Sequence, residues 1–370
     1  MRIVPILGIV STAYTAEEVK LPLQYKVGEG LYIGDDNNLV HIQGRFQSRF
    51  TFNGLEQAFD TNSFAVTRGE IRLDGFTLEK KLYYGFEMNL ATRNQATTTA
   101  NAITTESTSG LASLNDYYVD WIPTPTFGLQ AGQFKVPFLM QQLVGAIKQQ
   151  FIDRSMATDI FNFGRDIGLS IHGKILENRM NYEIFVMNGE GANSFNRNNK
   201  ALLTGTRIEV SLVGEYNPSE SDVAHSEQPN LGFGLAYAFN ESGVTSQNST
   251  IAAGTKAHHG TIDVGYKHRG LSFQGAGMLT RTVEGVRLTN WGYNGQIGYF
   301  FLPKVIEVAS RTSGAIFSNG AVNQYEYALV LNYFIKGHGI KLQTDYAFLP
   351  NNRGQNLNDH RVRSALNFIF

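Results

Sequence analysis

Arginines recur at even spacing in three stretches of the chain: Arg45 and Arg49 among Gln43 and Gln47, Arg68 and Arg72 among Glu70 and Asp74, and Arg361 with Arg363. On an extended strand successive side chains point to opposite sides, so each set lies on a single face. If the three strands are neighbours, six guanidiniums line one wall. Fixed positive charge along a narrow aqueous path raises the local concentration of counter-ions, so such a wall draws small anions. The interleaved Glu70 and Asp74 support a second, compatible reading: a ladder of cross-strand ion pairs that stiffens the wall. A further set lies between residues 135 and 165, where Lys135, Lys148, Arg154 and Arg165 outnumber Asp153 and Asp159 four to two.

Other chemistries find little support. No Ser-His-Asp set or pair of carboxylates is arranged by spacing for catalysis. His258-His259 falls in a predicted outer loop, with no third ligand at metal spacing, and reads as a solvated pair. The glycines sit at strand positions and turns rather than in a phosphate-cradling loop. With 31 Lys and Arg against 32 Asp and Glu, nothing in the charge calls for nucleic acid. The expectation is a protein that is not an enzyme and holds no metal or cofactor.

The elements that position the arginines are strands of alternating polarity. Tyr325, Tyr327, Leu329, Leu331, Tyr333 and Ile335 alternate with Gln324, Glu326, Ala328 and Asn332; Val362, Leu366, Phe368 and Phe370 alternate with Arg361, Arg363 and Asn367. Such a strand has one oily and one wet face, as a membrane barrel with hydrocarbon outside and water inside requires. About sixteen such segments can be marked, at 41–53, 64–78, 81–92, 114–122, 126–134, 166–176, 180–188, 201–216, 230–240, 259–268, 270–281, 290–301, 303–313, 323–335, 339–349 and 359–370. Closing the sheet makes the first and last strands neighbours, which gathers the three arginine sets. After the first residues no run of about 18 apolar residues occurs, which excludes transmembrane helices. The 17 Tyr and 25 Phe suit strands, and the absence of Cys fits an exported protein that needs no disulfide.

The connections fall into two alternating classes. Short ones include Glu79-Lys80-Lys81, Pro123-Thr124-Pro125 and Glu177-Asn178-Arg179; long ones, at 93–113, 135–165, 241–258 and 350–358, are rich in Asn, Thr, Ser and Gly. With both termini periplasmic, the long loops face outside. The segment 217–229 is the exception, a long connection on the short-turn side. Trp121, Trp291, Tyr293 and Tyr299 near strand ends read as interface girdles. Residues 1–13, with one positive charge, a short apolar core and a Ser-x-Ala end, read as a signal peptide; 14–40 is a periplasmic lead-in and 41–370 a single transmembrane antiparallel β-barrel.

The connection 135–165 carries Phe138, Leu139, Met140, Leu143, Val144, Ile147, Phe151, Ile152, Phe161 and Phe163. So much apolar surface calls for burial, and folding back into the lumen provides it, with a short amphipathic turn over Leu143 to Ile152. An external cap packed on other loops or on another protomer is the alternative.

At this connection the chain resembles the phosphate-selective porin O/P family of bacterial outer membranes. The matching stretches are Gly132-Gln133-Phe134-Lys135-Val136-Pro137-Phe138, Arg154-Ser155-Met156-Ala157, Gly164-Arg165-Asp166-Ile167-Gly168 with His172-Gly173, and Met187-Asn188-Gly189-Glu190-Gly191. Upstream, Gly44-Arg45-Phe46-Gln47, Arg68-Gly69-Glu70-Ile71-Arg72-Leu73 and Asp116-Tyr117-Tyr118-Val119-Asp120 fit the same pattern. Phe370 resembles the aromatic assembly signal of outer-membrane barrels. The resemblance implies a sixteen-stranded, trimeric porin of a Gram-negative outer membrane, with the third loop inside the pore and diffusive passage of small anions, phosphate among them. It marks Lys135, Arg154 and Arg165 as constriction residues and Asp166 as the partner of a neighbouring arginine. The expected partners are small anions or other small hydrophilic solutes, outer-membrane lipid and two further copies of the chain. The competing reading is a structural or adhesive barrel whose lumen the third loop seals.

Overall fold

The computed structural model describes residues 22–91, 94–99, 102–107, 112–194, 202–240, 256–283 and 287–370. Two short strands come first, β1 (Leu23–Lys26) and β2 (Gly30–Gly34), followed by β3 (Leu39–Gly54), β4 (Thr61–Thr77) and β5 (Leu82–Asn89). A separate hairpin, β6 (Asn94–Thr99) and β7 (Ala102–Ser107), stands in the next connection before β8 (Ser113–Thr124) and β9 (Phe127–Lys135). The long connection that follows holds two short helices, α1 (Met140–Leu143) and α2 (Met156–Phe161). Then come β10 (Arg165–Ile175), β11 (Met180–Met187), β12 (Leu203–Val213), β13 (Asn230–Asn240), β14 (Ala257–His268), β15 (Leu271–Thr282) and β16 (Thr289–Leu302). The last four are β17 (Ile306–Ile316), β18 (Gln324–Lys336), β19 (Ile340–Pro350) and β20 (Asn358–Ile369).

Every strand from β3 onward pairs antiparallel with its successor, the β6–β7 hairpin aside, and β20 returns to β3 with Ile369 opposite Arg45 and His360 opposite Gly54. The result is a closed sixteen-strand barrel. All sixteen sequence-predicted segments become its strands.

Alternation sets the register. On β18 the residues Glu326, Ala328, Val330 and Asn332 are buried, while Tyr327, Leu329, Leu331 and Tyr333 are exposed. A one-residue slip would exchange the two faces, so the pattern fixes each pairing. The barrel is thus inverted relative to a water-soluble one, with Gln, Asn, Glu and Arg inside and a continuous aromatic and aliphatic band outside.

The short turns at 78–81 and 176–179 close through Lys81 N–H to Leu78 O and Arg179 N–H to Leu176 O, both at 3.1 Å. Their central residues, Glu79-Lys80 and Glu177-Asn178, all have positive φ, the type I′ geometry that Asn-Gly would adopt more cheaply. At the seam, Gly44 exchanges backbone hydrogen bonds with Phe370 in both directions, and the Phe370 ring lies where a Cβ on Gly44 would sit. Below that point β2 takes over from β20 as the partner of β3, with Leu31 opposite Ile42 and Gly34 opposite Leu39.

The structure revises several expectations. The predicted signal peptide at 1–13 lies outside the described residues. Part of the predicted 14–40 lead-in is strand, β1 and β2. The outer loop predicted at 93–113 contains the β6–β7 hairpin. His258 and His259 belong to β14 and not to a loop, and they are not a solvated pair: His259 is 2% exposed, its Nδ1 lies 2.9 Å from Thr280 Oγ1, and its ring meets Phe163. Within the turn predicted over Leu143 to Ile152 lies a 3-10 turn at Ala146–Lys148, and two further turns, α1 and α2, flank it. Pro137 and Gly145, together with the β-region backbone at Leu139, Gly145 and Ser155, prevent a continuous helix.

Two apolar clusters form the core. Val136, Phe138, Leu139, Ala157, Phe161 and Phe163 pack with Phe185, Met187, Leu203, Ala236 and Met278, and Phe151 packs with Ala309, Ala328, Val330 and Ala347. Small residues on the strands leave the room that the aromatic side chains of the 136–164 connection fill.

Candidate pore site

A cavity of about 1460 Å³ runs beside β3, β4, β5 and β8. Of the ten sequence-predicted residues, Arg45, Arg49, Arg68, Arg72, Lys135, Lys148, Arg154 and Arg165 line it. Arg361 and Arg363 do not, although both belong to the same ionic network.

The arginines meet carboxylates in two groups. In the first, Glu87 on β5 is shared: Arg45 Nη1 reaches it at 2.9 Å, Arg72 Nη1 at 3.4 Å and Arg165 Nη2 at 3.1 Å. Arg165 also grips Asp116 with two hydrogen bonds, from Nε at 2.7 Å and Nη2 at 3.1 Å, and Arg72 Nε donates to Asp74 at 2.7 Å. Exposure decides which layer a solute meets. The Glu87 side chain is 4% exposed, against 27% for Arg72 and 19% for Arg165. Glu87 and Asp116, the latter 11% exposed, stand behind the guanidiniums, whereas Asp74 reaches the cavity beside Arg72.

The second group centres on Asp153, in the connection between β9 and β10. Arg49 Nη1 and Arg363 Nη1 each donate to its Oδ2 at 2.6 Å, and Arg68 Nη2 lies 3.6 Å from Oδ1. Burial alone would raise the Asp153 carboxyl, but Arg363, Arg49 and Arg68 outweigh it and hold it below the ordinary carboxylate range. Arg363 is itself held bidentately by Asp345, at 2.8 and 2.6 Å, and Arg361 Nη2 lies 3.4 Å from Glu326. Glu326 also receives Arg311 Nη2 at 2.7 Å and the backbone N–H of Met156 at 3.0 Å.

The long connection is tied to the buried side chains of the barrel along its whole length. Arg207 on β12, gripped by Asp263, donates to Phe138 O at 2.6 Å. Gln150 Nε2 donates to Glu307 at 2.7 Å and to Ser272 at 2.9 Å, Lys341 Nζ donates to Gln149 O at 2.6 Å, and Ala157 N–H donates to Ser313 Oγ at 2.9 Å. Within the connection, Lys135 Nζ holds Leu143 O and Val144 O at 3.1 and 3.0 Å, and Arg154 donates to Gln141 O, Gln142 O and Val144 O. Ser155 caps α2 through Thr158 N–H at 3.2 Å. Lys148 is exposed and lines the cavity toward the short-turn end. Asp166 is buried and accepts from the backbone N–H groups of Ile167 and Gly189.

Sequence reading missed four contributors. Glu87 and Asp116 face inward on strands that it placed, and the alternation marks them. The carbonyl of Glu29 receives His41 Nε2 at 2.9 Å and Gln43 Nε2, which brings residues 27–29 to the cavity edge. The anomalous segment 217–229 has Glu220, Ser221 and Asp222 buried; Glu220 accepts from Gln141 Nε2 at 3.1 Å, Gln150 N–H at 2.6 Å and Gln296 Nε2 at 3.1 Å. Its length marked it, but nothing in its composition marked its target.

Comparison with known proteins agrees with the barrel fold. The model of the family described as phosphate-selective porin O and P matches residues 40–365. No curated protein sequence matches the chain. Among solved structures, OprB of Pseudomonas putida at high pH is similar, with TM-score 0.66 and 10% identity, over 90% of this chain and 94% of that one. An anion-selective porin from Comamonas acidovorans has TM-score 0.59 and 12% identity, over 90% and 100%. The trimer form of OmpT of Vibrio cholerae, folded in vitro, has TM-score 0.54 and 10% identity, over 90% and 100%.

Proposed function

Because this chain belongs to the phosphate-selective porin O and P family and is an integral outer-membrane porin rather than an enzyme, we propose that it is a diffusion channel for small hydrophilic solutes that prefers anions, phosphate included. The observation that carries the preference is the layering of charge. A solute at the Glu87 group meets the Arg72 and Arg165 guanidiniums before it meets the Glu87 and Asp116 carboxylates behind them, so this part of the wall is cationic at its surface. Guanidiniums aimed this way present paired donors that suit phosphate or carboxylate oxygens.

The 136–164 connection folds inward and sets the constriction. Its hydrogen bonds to Ser272, Glu307, Ser313 and Lys341 and the burial of its Phe residues support this reading. Lys135 and Arg154 brace its carbonyls while adding positive charge to the narrowest part. The comparison with the anion-selective Comamonas porin favours the same preference, and the trimer form of OmpT favours a homotrimer.

The test is the reversal potential of the detergent-purified protein in planar bilayers under a potassium chloride gradient, for the wild type and an Arg154→Gln/Arg165→Gln variant. A wild-type potential on the chloride side that moves toward potassium in the variant supports the proposal. A wild type without ion preference reduces it to a general porin, and the absence of conductance favours a sealed structural barrel.

A further inference from the structure

We propose that the outward face of β13 to β16, at the end that carries the long loops, binds a phosphate group of an outer-leaflet glycolipid through Arg281 and His258. The inference rests on the porin reading above, which puts that end in the outer leaflet.

Register places the two groups together. His258 on β14 stands directly opposite Arg281 on β15 and directly opposite Phe239 on β13. Their neighbours His259 and Thr280 are buried and bonded to each other, so His258 and Arg281 take the outward phase, which on this barrel faces lipid. The imidazole is held in a fixed frame: Tyr237 Oη lies 2.6 Å from His258 Nδ1, and the ring lies 4.9 Å from that of Phe239. With the phenol donating to Nδ1, the neutral ring carries its proton on Nε2, a donor without a partner among the described residues.

Arg281 is exposed, and among the described residues no carboxylate lies within ion-pair distance of it. An unpaired guanidinium on a lipid-facing strand is tolerated where it can reach the headgroup layer, and it attracts anionic lipid there. Trp291 on β16, exposed and opposite Leu279, extends the aromatic shelf beside it. The site therefore offers a planar fork, a second N–H donor and flat apolar flanks, a set that suits a phosphate monoester borne on a sugar at the membrane interface.

The barrel supplies its own control. On β19 and β20 the same frame recurs, with Tyr346 Oη 2.7 Å from His360 Nδ1 and the His360 ring 5.1 Å from Phe348. Opposite His360, however, stands Gly54, and among the described residues no cation completes the set. The first cluster is assigned the phosphate and the second serves only as part of the girdle.

The experiment reconstitutes the full chain in bilayers containing either bisphosphorylated lipid A or its dephosphorylated form, and counts glycolipid retained after mild detergent extraction by native mass spectrometry. The wild type should retain the phosphorylated form, and Arg281→Gln/His258→Gln should retain about tenfold less. His360→Gln should match the wild type. Heat-modifiable mobility confirms that each variant is folded, and single-channel conductance, unchanged in all of them, separates failure of this site from failure of the porin reading. Equal retention by Arg281→Gln/His258→Gln, equal retention of the dephosphorylated lipid, or displacement by millimolar inorganic phosphate overturns the assignment.

Discussion

Asp153 offers the sharpest test of the charge layering, because it stands in front among the arginines that it neutralises. Its side chain is 30% exposed, it lines the cavity, and it neutralises part of the cluster formed by Arg49, Arg68 and Arg363. Asp153→Asn keeps the shape and removes one negative charge. A unit charge acting on an ion 5 Å away in water is worth about 0.8 kcal/mol, which is roughly fourfold in the local concentration of a monovalent ion. The effect has opposite signs for chloride and potassium, and a Debye length of about 10 Å at 0.1 M salt leaves much of it intact. The chloride-to-potassium permeability ratio should therefore rise by about fivefold to tenfold. The assay is reversal potential in a potassium chloride gradient, repeated at 1 M salt, where the difference from wild type should shrink. Glu79→Gln, which removes the same charge from an exposed turn remote from the cavity, should leave the ratio unchanged. A folded Asp153→Asn channel with the wild-type ratio at low salt would show that ions do not pass this cluster, and the layering argument would fail with it.

Other perturbations probe the supports. Glu220→Ala removes the acceptor shared by Gln141, Gln150 and Gln296, so the constriction should loosen; single-channel recordings should show added open-channel noise and a larger mean conductance. Gly44→Val places side-chain atoms where the Phe370 ring packs, and should lower the yield of heat-modifiable, folded barrel on refolding several-fold. Lys80→Gly relieves a non-glycine residue held at positive φ, a gain of about 1 kcal/mol that should raise the midpoint of heat-induced loss of the folded band.

The barrel was legible because each strand carries its own two-residue period, and no distant information is needed to read it. Val362, Leu366 and Phe368 against Arg361, Arg363 and Asn367 declare both a strand and its faces. Closure alone makes β20, β3 and β4 neighbours, which brings the three arginine sets onto adjacent strands. What stayed hidden depends on pairing across distance. Asp153 is bonded by Arg49 and Arg363, which lie far from it in sequence on opposite sides, and no local pattern announces a carboxylate that three strands share. His258 and His259 were misplaced because a polar pair at a strand end looks like loop. In β14 one of them is bonded to Thr280 inside while the other pairs with Tyr237 outside. The strands β1 and β2 are too short for a period to show. Within 136–164, apolar content revealed the need for burial, but the helical turns were set by Pro137, Gly145 and the Ser155 cap rather than by the spacing of apolar residues.

The handover from β20 to β2 along β3 has a consequence for how the chain stays out of trouble before and after insertion. Because the last strand stops at the level of Gly44, residues 39–42 of the first would otherwise present a bare row of amide and carbonyl groups at the rim. That edge is a template for any passing extended chain. The short hairpin of β1 and β2 covers it, so residues 39–42 offer a neighbouring molecule no free ladder to join. Removing the hairpin should therefore leave permeation through the arginine-lined cavity in place while making the detergent-solubilised protein prone to edge-to-edge aggregation.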